Sequence, residues 1–187
     1  MNLILFGPPG AGKGTQAKYL VNKINGFQVS TGEMLRNEIK KNSDIGKKII
    51  TDMNEGKFVS DEIVNELIKN VISNPQKKDK LIFDGYPRSI TQAKNLDDLL
   101  RNSNQKIDYI FFLNVNKETI IKRIEKRKAL EKRSDDELNT ILKRYDTYMV
   151  TTKPVLDFYS KNSNFYEIDG TLEIDEITAK IDAFLNV

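Results

Sequence analysis

The chain contains no cysteine and no histidine. That double absence excludes disulfides, thiolate nucleophiles, imidazole bases and the Cys/His zinc sites. No apolar run approaches the roughly 20 residues that a bilayer span needs. No internal repeat or low-complexity linker divides the sequence. Charge of one sign is also scarce: 30 Lys and Arg against 27 Asp and Glu leave a net charge of +3. So small an excess argues against a nucleic-acid groove or an anionic membrane surface as the partner. The opening MNLILFGPPG has no basic segment and reaches Gly7 before an apolar core of signal-peptide length can form, so it is not a secretory leader. The expected location is the cytoplasm.

What is present suffices for one domain with a core: 187 residues, 39% hydrophobic and 30% charged. Its chemistry has to rest on Lys, Arg, Asp, Glu, hydroxyls, backbone amides and recruited ions. Short apolar runs at Asn2–Phe6, Phe27–Val29, Leu81–Asp84, Tyr109–Val115 and Phe165–Ile168 read as strands. They are continuous rather than alternating in polarity, as strands covered on both faces are. Helical patterns fall at about 13–25, 31–42, 44–55, 60–74, 89–102, 117–131, 135–162 and 173–186. This alternation predicts an α/β fold with a parallel sheet wrapped by helices. Ser30 and Glu33 fit a capping box. Asp61 and Glu62 put negative charge in a first helical turn. Pro154 is expected to kink or break the last long pattern.

The strongest chemical signal is GPPGAGKGT, Gly7 to Thr15, placed directly between a strand and a helix. Glycines there let the backbone approach an anion, the amides form a nest, and the helix N-terminus adds positive potential. Gly10, Ala11, Gly12, Lys13, Gly14 and Thr15 are therefore candidate phosphate ligands, with Lys13 a point charge for the outer phosphates. The strict phosphate-loop pattern has Ser or Thr directly after the Lys. Here Gly14 intervenes and Thr15 supplies the hydroxyl. The loop specifies a nucleotide phosphate and no more, since GTPases, motors and small-molecule kinases have similar ones. A GTPase reading fails at Asn116-Lys117-Glu118-Thr119, which ends in Thr where an Asn-Lys-x-Asp motif needs Asp to read guanine.

Three further segments select among these. They are STGEMLR (Ser30–Arg36), EGKFVSD (Glu55–Asp61) and FDGYPRSITQA (Phe83–Ala93). Together with GPPGAGKGT, in this order and spacing, they resemble the adenylate kinase family over nearly the whole chain. The resemblance implies a P-loop three-layer fold: a five-stranded parallel sheet flanked by helices, with an AMP-binding flap (30–59) and a short lid (128–136) on a core of 1–29, 60–127 and 137–187. It implies phosphoryl transfer from Mg-ATP to AMP, giving two ADP. The AMP site would comprise Thr31, Arg36, the backbone of Lys57, Phe58 and Val59, Gly85, Tyr86, Arg88 and Gln92. Bidentate grip of a dianionic phosphate suits Arg36 and Arg88, and the Gln92 amide has a donor and an acceptor for an adenine edge. Tyr86-Pro87 is a candidate cis peptide by the same resemblance.

The resemblance also implies that Arg127, Arg133 and Arg144 join Lys13 and Arg88 as catalytic groups, with Arg133 and Arg144 also facing AMP. Arg123 would stack on the ATP adenine, bordered by Gly170 and Leu172. Asp135 and Asp136 would orient lid arginines. An all-cation site meets the chemical need, because a phosphoryl group in transfer spreads negative charge and requires no protein nucleophile. Mg2+ would sit near Thr15 and Asp84, held by phosphates and waters, with no zinc. Lys132 stands where the family commonly has Gly, and only five residues part Arg127 from Arg133, so the lid is expected to be short and metal-free. Thr31, Ser89 and Gln92 favour AMP over UMP or CMP. A UMP-CMP kinase of the same fold, a non-catalytic nucleotide-binding regulator and a nucleic-acid-directed ATPase are the alternatives. The expected partners are ATP, AMP and ADP, with no nucleic acid or membrane, and the expected state is a monomer.

Overall fold

A computed structural model describes residues 1–74, 80–131 and 137–185, with 127–131 by backbone only. Five strands form one parallel sheet in the order β2-β3-β1-β4-β5. They are β1 (Leu3–Phe6), β2 (Phe27–Ser30), β3 (Leu81–Asp84), β4 (Tyr109–Asn114) and β5 (Phe165–Asp169). The sheet starts in the middle and grows outwards on both sides. β1 pairs with β3 through Leu3–Ile82 and Ile4–Phe83, and with β4 through Leu3–Tyr109 and Phe6–Phe112.

β1 accounts for the continuous apolar pattern. Leu3 and Leu5 enter one hydrophobic cluster while Ile4 and Phe6 enter the other, and all four are buried. Successive side chains of a strand point to opposite faces, so a strand with a core on each side has no polar face to show. One layer of helices, α1 (Lys13–Ile24), α6 (Lys117–Glu131) and α9 (Ile174–Phe184), packs Leu20, Ile120 and Ile181 against Leu3 and Leu5. The opposite layer includes α4 (Asp61–Ile72), α5 (Ile90–Asn102) and α8 (Lys153–Tyr159), which pack Ile68, Leu96 and Tyr159 against Ile4 and Phe6. The expected three-layer α/β fold is the observed one.

Two helices, α2 (Thr31–Lys40) and α3 (Asp44–Asn54), follow β2 as expected. Ser30 caps α2 by accepting from the Glu33 N–H at 3.4 Å. The long pattern at 135–162 is divided: α7 (Leu138–Thr151) ends, and α8 begins with Pro154 in its first turn. Proline is tolerated there because first-turn N–H groups have no intrahelical partner. Among the described residues, no helix is long and apolar enough to cross a membrane.

Candidate active site

The C-terminal ends of β1 and β3 meet the helix starts that follow them, and the functional side chains gather there. At the β1 end the chain turns through Gly7–Gly12 into α1. Gly12 is the N-cap residue, left-handed at φ 95°, and a Cβ added there would meet nothing within 4 Å. The space over the helix start is open, and the conformation suits glycine. No side chain caps α1 and no carboxylate lies in its first turn. Its first N–H groups, which lack intrahelical acceptors, face outwards with the positive end of the helix dipole. Lys13 Nζ donates to the Gly7 and Pro8 carbonyls at 2.8 and 3.1 Å, which lays the ammonium across the mouth of the loop. Thr15 is exposed in the first turn.

Asp84 ends β3 beside this loop. Its Oδ2 is 3.8 Å from where a Gly14 Cβ would stand, and it accepts from Gln28 Nε2 at 3.1 Å. No group of three or more acidic residues that could hold a metal occurs among the described residues. A carboxylate beside the phosphate loop fits a hard cation that arrives with phosphate oxygens and water. It does not form an all-protein cage.

At the β3 end the chain turns through Gly85 and the cis Tyr86-Pro87 bond to Arg88. Gly85 has φ 76°, and a Cβ there would lie 2.8 Å from Arg88 Nη2 and 3.2 Å from Thr31 Oγ1. The turn is thus shaped around those two side chains. Thr31 Oγ1 donates to the Gly85 carbonyl at 2.8 Å, and Arg88 Nε donates to the same oxygen at 2.7 Å. The Arg88 guanidinium lies 4.9 Å from the centre of the Phe58 ring, a cation–π contact that fixes its plane. Arg36 folds back over Gly32, its Nη2 3.3 Å from where a Cβ would be.

One cleft joins the two strand ends. Lys13, Arg88 and Arg144 line it together, with Phe58, Tyr148 and Thr152. Three cations from α1, the β3 turn and α7 thus face one space, and their joint positive potential suits an anionic ligand. Gly56 closes one side: a Cβ there would lie 3.2 Å from Arg144 Cγ, and Thr140 Oγ1 donates to the Asn54 carbonyl at 3.3 Å.

Other expected residues fall as follows. Gln92 and Val59 are both buried. Lys57 is exposed and paired with Glu55 at 2.7 Å. The Tyr86 ring lies in the core, where its hydroxyl donates to Asn65 Oδ1 at 2.8 Å, and burial pushes its pKa up to about 12. Any ligand contact at Tyr86 therefore comes from its backbone. Arg123 reaches back across the loop: its guanidinium donates to the carbonyls of Gly170 at 2.7 Å, Leu172 at 3.0 Å and Ala11 at 3.5 Å. Those in-plane bonds leave the guanidinium face for stacking. The Thr171 hydroxyl and amide hold Asp169 Oδ1 at 2.6 and 2.9 Å and depress that carboxyl, which fixes the Gly170 turn. The Arg127 side chain, Lys132, Arg133, Asp135 and Asp136 lie outside the described residues.

Sequence reasoning missed Tyr148 and Thr152. Both follow Arg144 at helical spacing, four and eight residues on, so the signal was the stripe that Arg144 begins. The Tyr148 hydroxyl is buried without a hydrogen-bond partner, and burial raises its pKa. Thr152 Oγ1 donates to the Arg88 carbonyl at 3.2 Å and ties α7 to the arginine turn.

Comparison with known proteins agrees with this geometry. The family model described as adenylate kinase matches residues 5–164. The adenylate kinase of Pelagibacter ubique (strain HTCC1062) is 50% identical over 213 aligned positions that cover 100% of both chains. That of Caulobacter sp. (strain K31) is 42% identical, covering 100% of this chain and 99% of its own. That of Mycoplasma mycoides subsp. mycoides SC is 42% identical over 96% and 94%. A glycine loop without a side-chain cap, an arginine turn on the neighbouring strand and these full-length similarities agree: the chain belongs to the adenylate kinase family.

Proposed function

We propose that this chain catalyses the reversible transfer of the γ-phosphoryl group from Mg-ATP to AMP, giving two ADP. The observation that supports it most is the meeting of Lys13, Arg88 and Arg144 in one cleft between two strand ends. The loop from Gly10 to Thr15 holds the ATP phosphates through backbone N–H groups and Lys13. Arg88 and Arg36 grip the AMP phosphate, while Thr31, Gly85, Gln92 and the backbone of 57–59 border the nucleoside. An AMP phosphate oxygen attacks the γ-phosphorus, and the bond to the β–γ bridging oxygen breaks. No protein group gives or takes a proton, so the absence of histidine costs nothing. Lys13, Arg88, Arg144 and, from the lid side, Arg127 and Arg133 stabilise the charge that spreads over the transferring oxygens. Thr15 and Asp84 would hold Mg2+ together with phosphate oxygens and water, and the ion supplies further neutralisation of phosphate charge.

Residues 30–59 act as the AMP-side flap, 128–136 as a short lid, and the rest as the core. The packing of Gly56 and Asn54 on α7 supports a flap that covers the cleft and excludes water. Only five residues part Arg127 from Arg133, which supports a short lid. The enzyme works as a cytoplasmic monomer on free nucleotides. A coupled assay of the purified protein with ATP and a panel of AMP, GMP, UMP and CMP tests the proposal. AMP is expected to be the preferred acceptor. Preference for a pyrimidine monophosphate, or binding of both nucleotides without ADP formation, would refute it.

A further inference from the structure

Gln92, buried in the first turn of α5, has its amide held at both ends. The Arg88 backbone N–H donates to Gln92 Oε1 at 2.7 Å. Gln92 Nε2 donates to Asp61 Oδ1 at 2.7 Å. The other oxygen of Asp61 accepts from the Ser89 hydroxyl, also at 2.7 Å, and that hydroxyl in turn caps α5 by accepting from the Gln92 N–H at 3.1 Å.

A primary amide is nearly symmetrical in shape. Turning it over exchanges C=O for NH2 at little steric cost. Here the partners remove that freedom, because a backbone N–H can only donate and a carboxylate can only accept. One orientation satisfies both, and the other leaves a buried clash of two donors and two acceptors. Each end of the plate keeps one unused valence, a lone pair on Oε1 and an N–H on Nε2.

Those two valences match adenine, which offers a donor at N6 and an acceptor at N1. Hypoxanthine and guanine offer the reverse, an acceptor at O6 and a donor at N1. A glutamine free to turn over would read either edge equally well. We propose that Asp61 is a specificity-determining positioning residue: it fixes the polarity of the Gln92 amide, so that the monophosphate site takes a 6-aminopurine and rejects a 6-oxopurine. The proposal rests on the reading that the base of AMP lies at Gln92. A simpler role for Asp61, as an acidic first-turn residue of α4, is shared by Glu62. It does not explain why both Asp61 oxygens are spent on α5, 28 and 31 residues away in sequence.

The test compares AMP with inosine monophosphate, which differs only at this edge, as acceptors for wild type, Asp61→Asn, Asp61→Glu and Gln92→Ala. Asn can present either a donor or an acceptor, so it releases the Asp61 end of the lock and leaves only the Arg88 N–H to oppose the turned-over amide. In Asp61→Asn the AMP-to-IMP ratio of kcat/KM should fall roughly tenfold or more, through KM rather than kcat. Asp61→Glu, which can only accept, should keep most of the ratio. A fall in kcat alone, equal for both acceptors, would mark a merely structural role and overturn the proposal. If Asp61→Asn does not fold, Asp61→Ala removes the accept-only partner and should lower the ratio about threefold; an unchanged ratio there overturns the proposal equally. Gln92→Ala separates the two levels. If it changes selectivity while Asp61→Asn does not, the lock alone is wrong. If it changes nothing, the base lies elsewhere, and both the site reading and this proposal fall.

Discussion

The molecule contains two strand–turn–helix units side by side, and they solve different problems. In β1–loop–α1 the helix start is left uncapped: its N-cap is Gly12, and no carboxylate occupies the first turn. In β3–turn–α5 the helix start is satisfied from within, by Ser89 on the Gln92 N–H, and Ser89 is itself held by Asp61. The first unit keeps backbone donors for an incoming anion. The second spends its backbone donors and presents side chains instead, namely Arg88 and Gln92. Backbone amides suit a phosphate, which every nucleotide has. Side chains suit the features that distinguish one monophosphate from another.

The largest effects should come from removing the cation of each unit. Lys13→Met and Arg88→Gly should each lower turnover on the order of 100-fold to 1,000-fold, with melting temperatures close to wild type. Titration calorimetry sharpens the contrast. Lys13→Met should weaken ATP and spare AMP, whereas Arg88→Gly should weaken AMP and spare ATP. If either variant weakened both nucleotides alike, the division of labour between the units would be broken.

Intermediate effects should come from the two turn glycines. Both are left-handed, so alanine at either costs about 1–2 kcal/mol of stability. Their surroundings differ. A Gly12 Cβ meets open space, whereas a Gly85 Cβ would lie 2.8 Å from Arg88 Nη2. Gly85→Ala should therefore move the guanidinium and raise the KM for AMP roughly tenfold, while Gly12→Ala leaves that KM alone. Steady-state kinetics at saturating ATP decides between them.

How much of this was legible in the sequence follows the same division. The glycine loop could be read directly, since backbone chemistry is written in glycines at fixed spacing between a strand and a helix. Strand positions were legible because β1 is apolar at every residue, as a two-faced strand must be. Strand order was not, because burial patterns do not say which neighbour a strand pairs with. Pro154 foretold the division of the last helical pattern, and Ser30 foretold the cap of α2. Side chains that act through others were harder. Asp61 reads as an ordinary first-turn acid, and its partners lie 28 and 31 residues away. Arg123 offered charge but no hint that its donors would clamp three carbonyls. Tyr148 and Thr152 carried no mark of a site within the helical pattern at 135–162, and only the position of α7 beside Arg88 brings them to the cleft.

The smallest effect concerns the caps themselves. Ser89→Ala removes the side-chain cap of α5, which should cost about 1 kcal/mol, or a fall of about 2–4 °C in melting temperature for a domain of this size. No equivalent substitution exists at the α1 start, where there is no side-chain cap to remove. Its donors stay open to a bound anion, so ATP should add stability through α1 by mass action, about 2.7 kcal/mol at 100 times its Kd. The two contributions are independent if the units are. The Ser89→Ala penalty should therefore be the same in apo protein and at saturating ATP, measured by thermal melting in both conditions. A penalty that vanished when ATP bound would mean that the α5 start reorganises with the loop, and the contrast between an open cradle and a closed, self-capped reader would no longer hold.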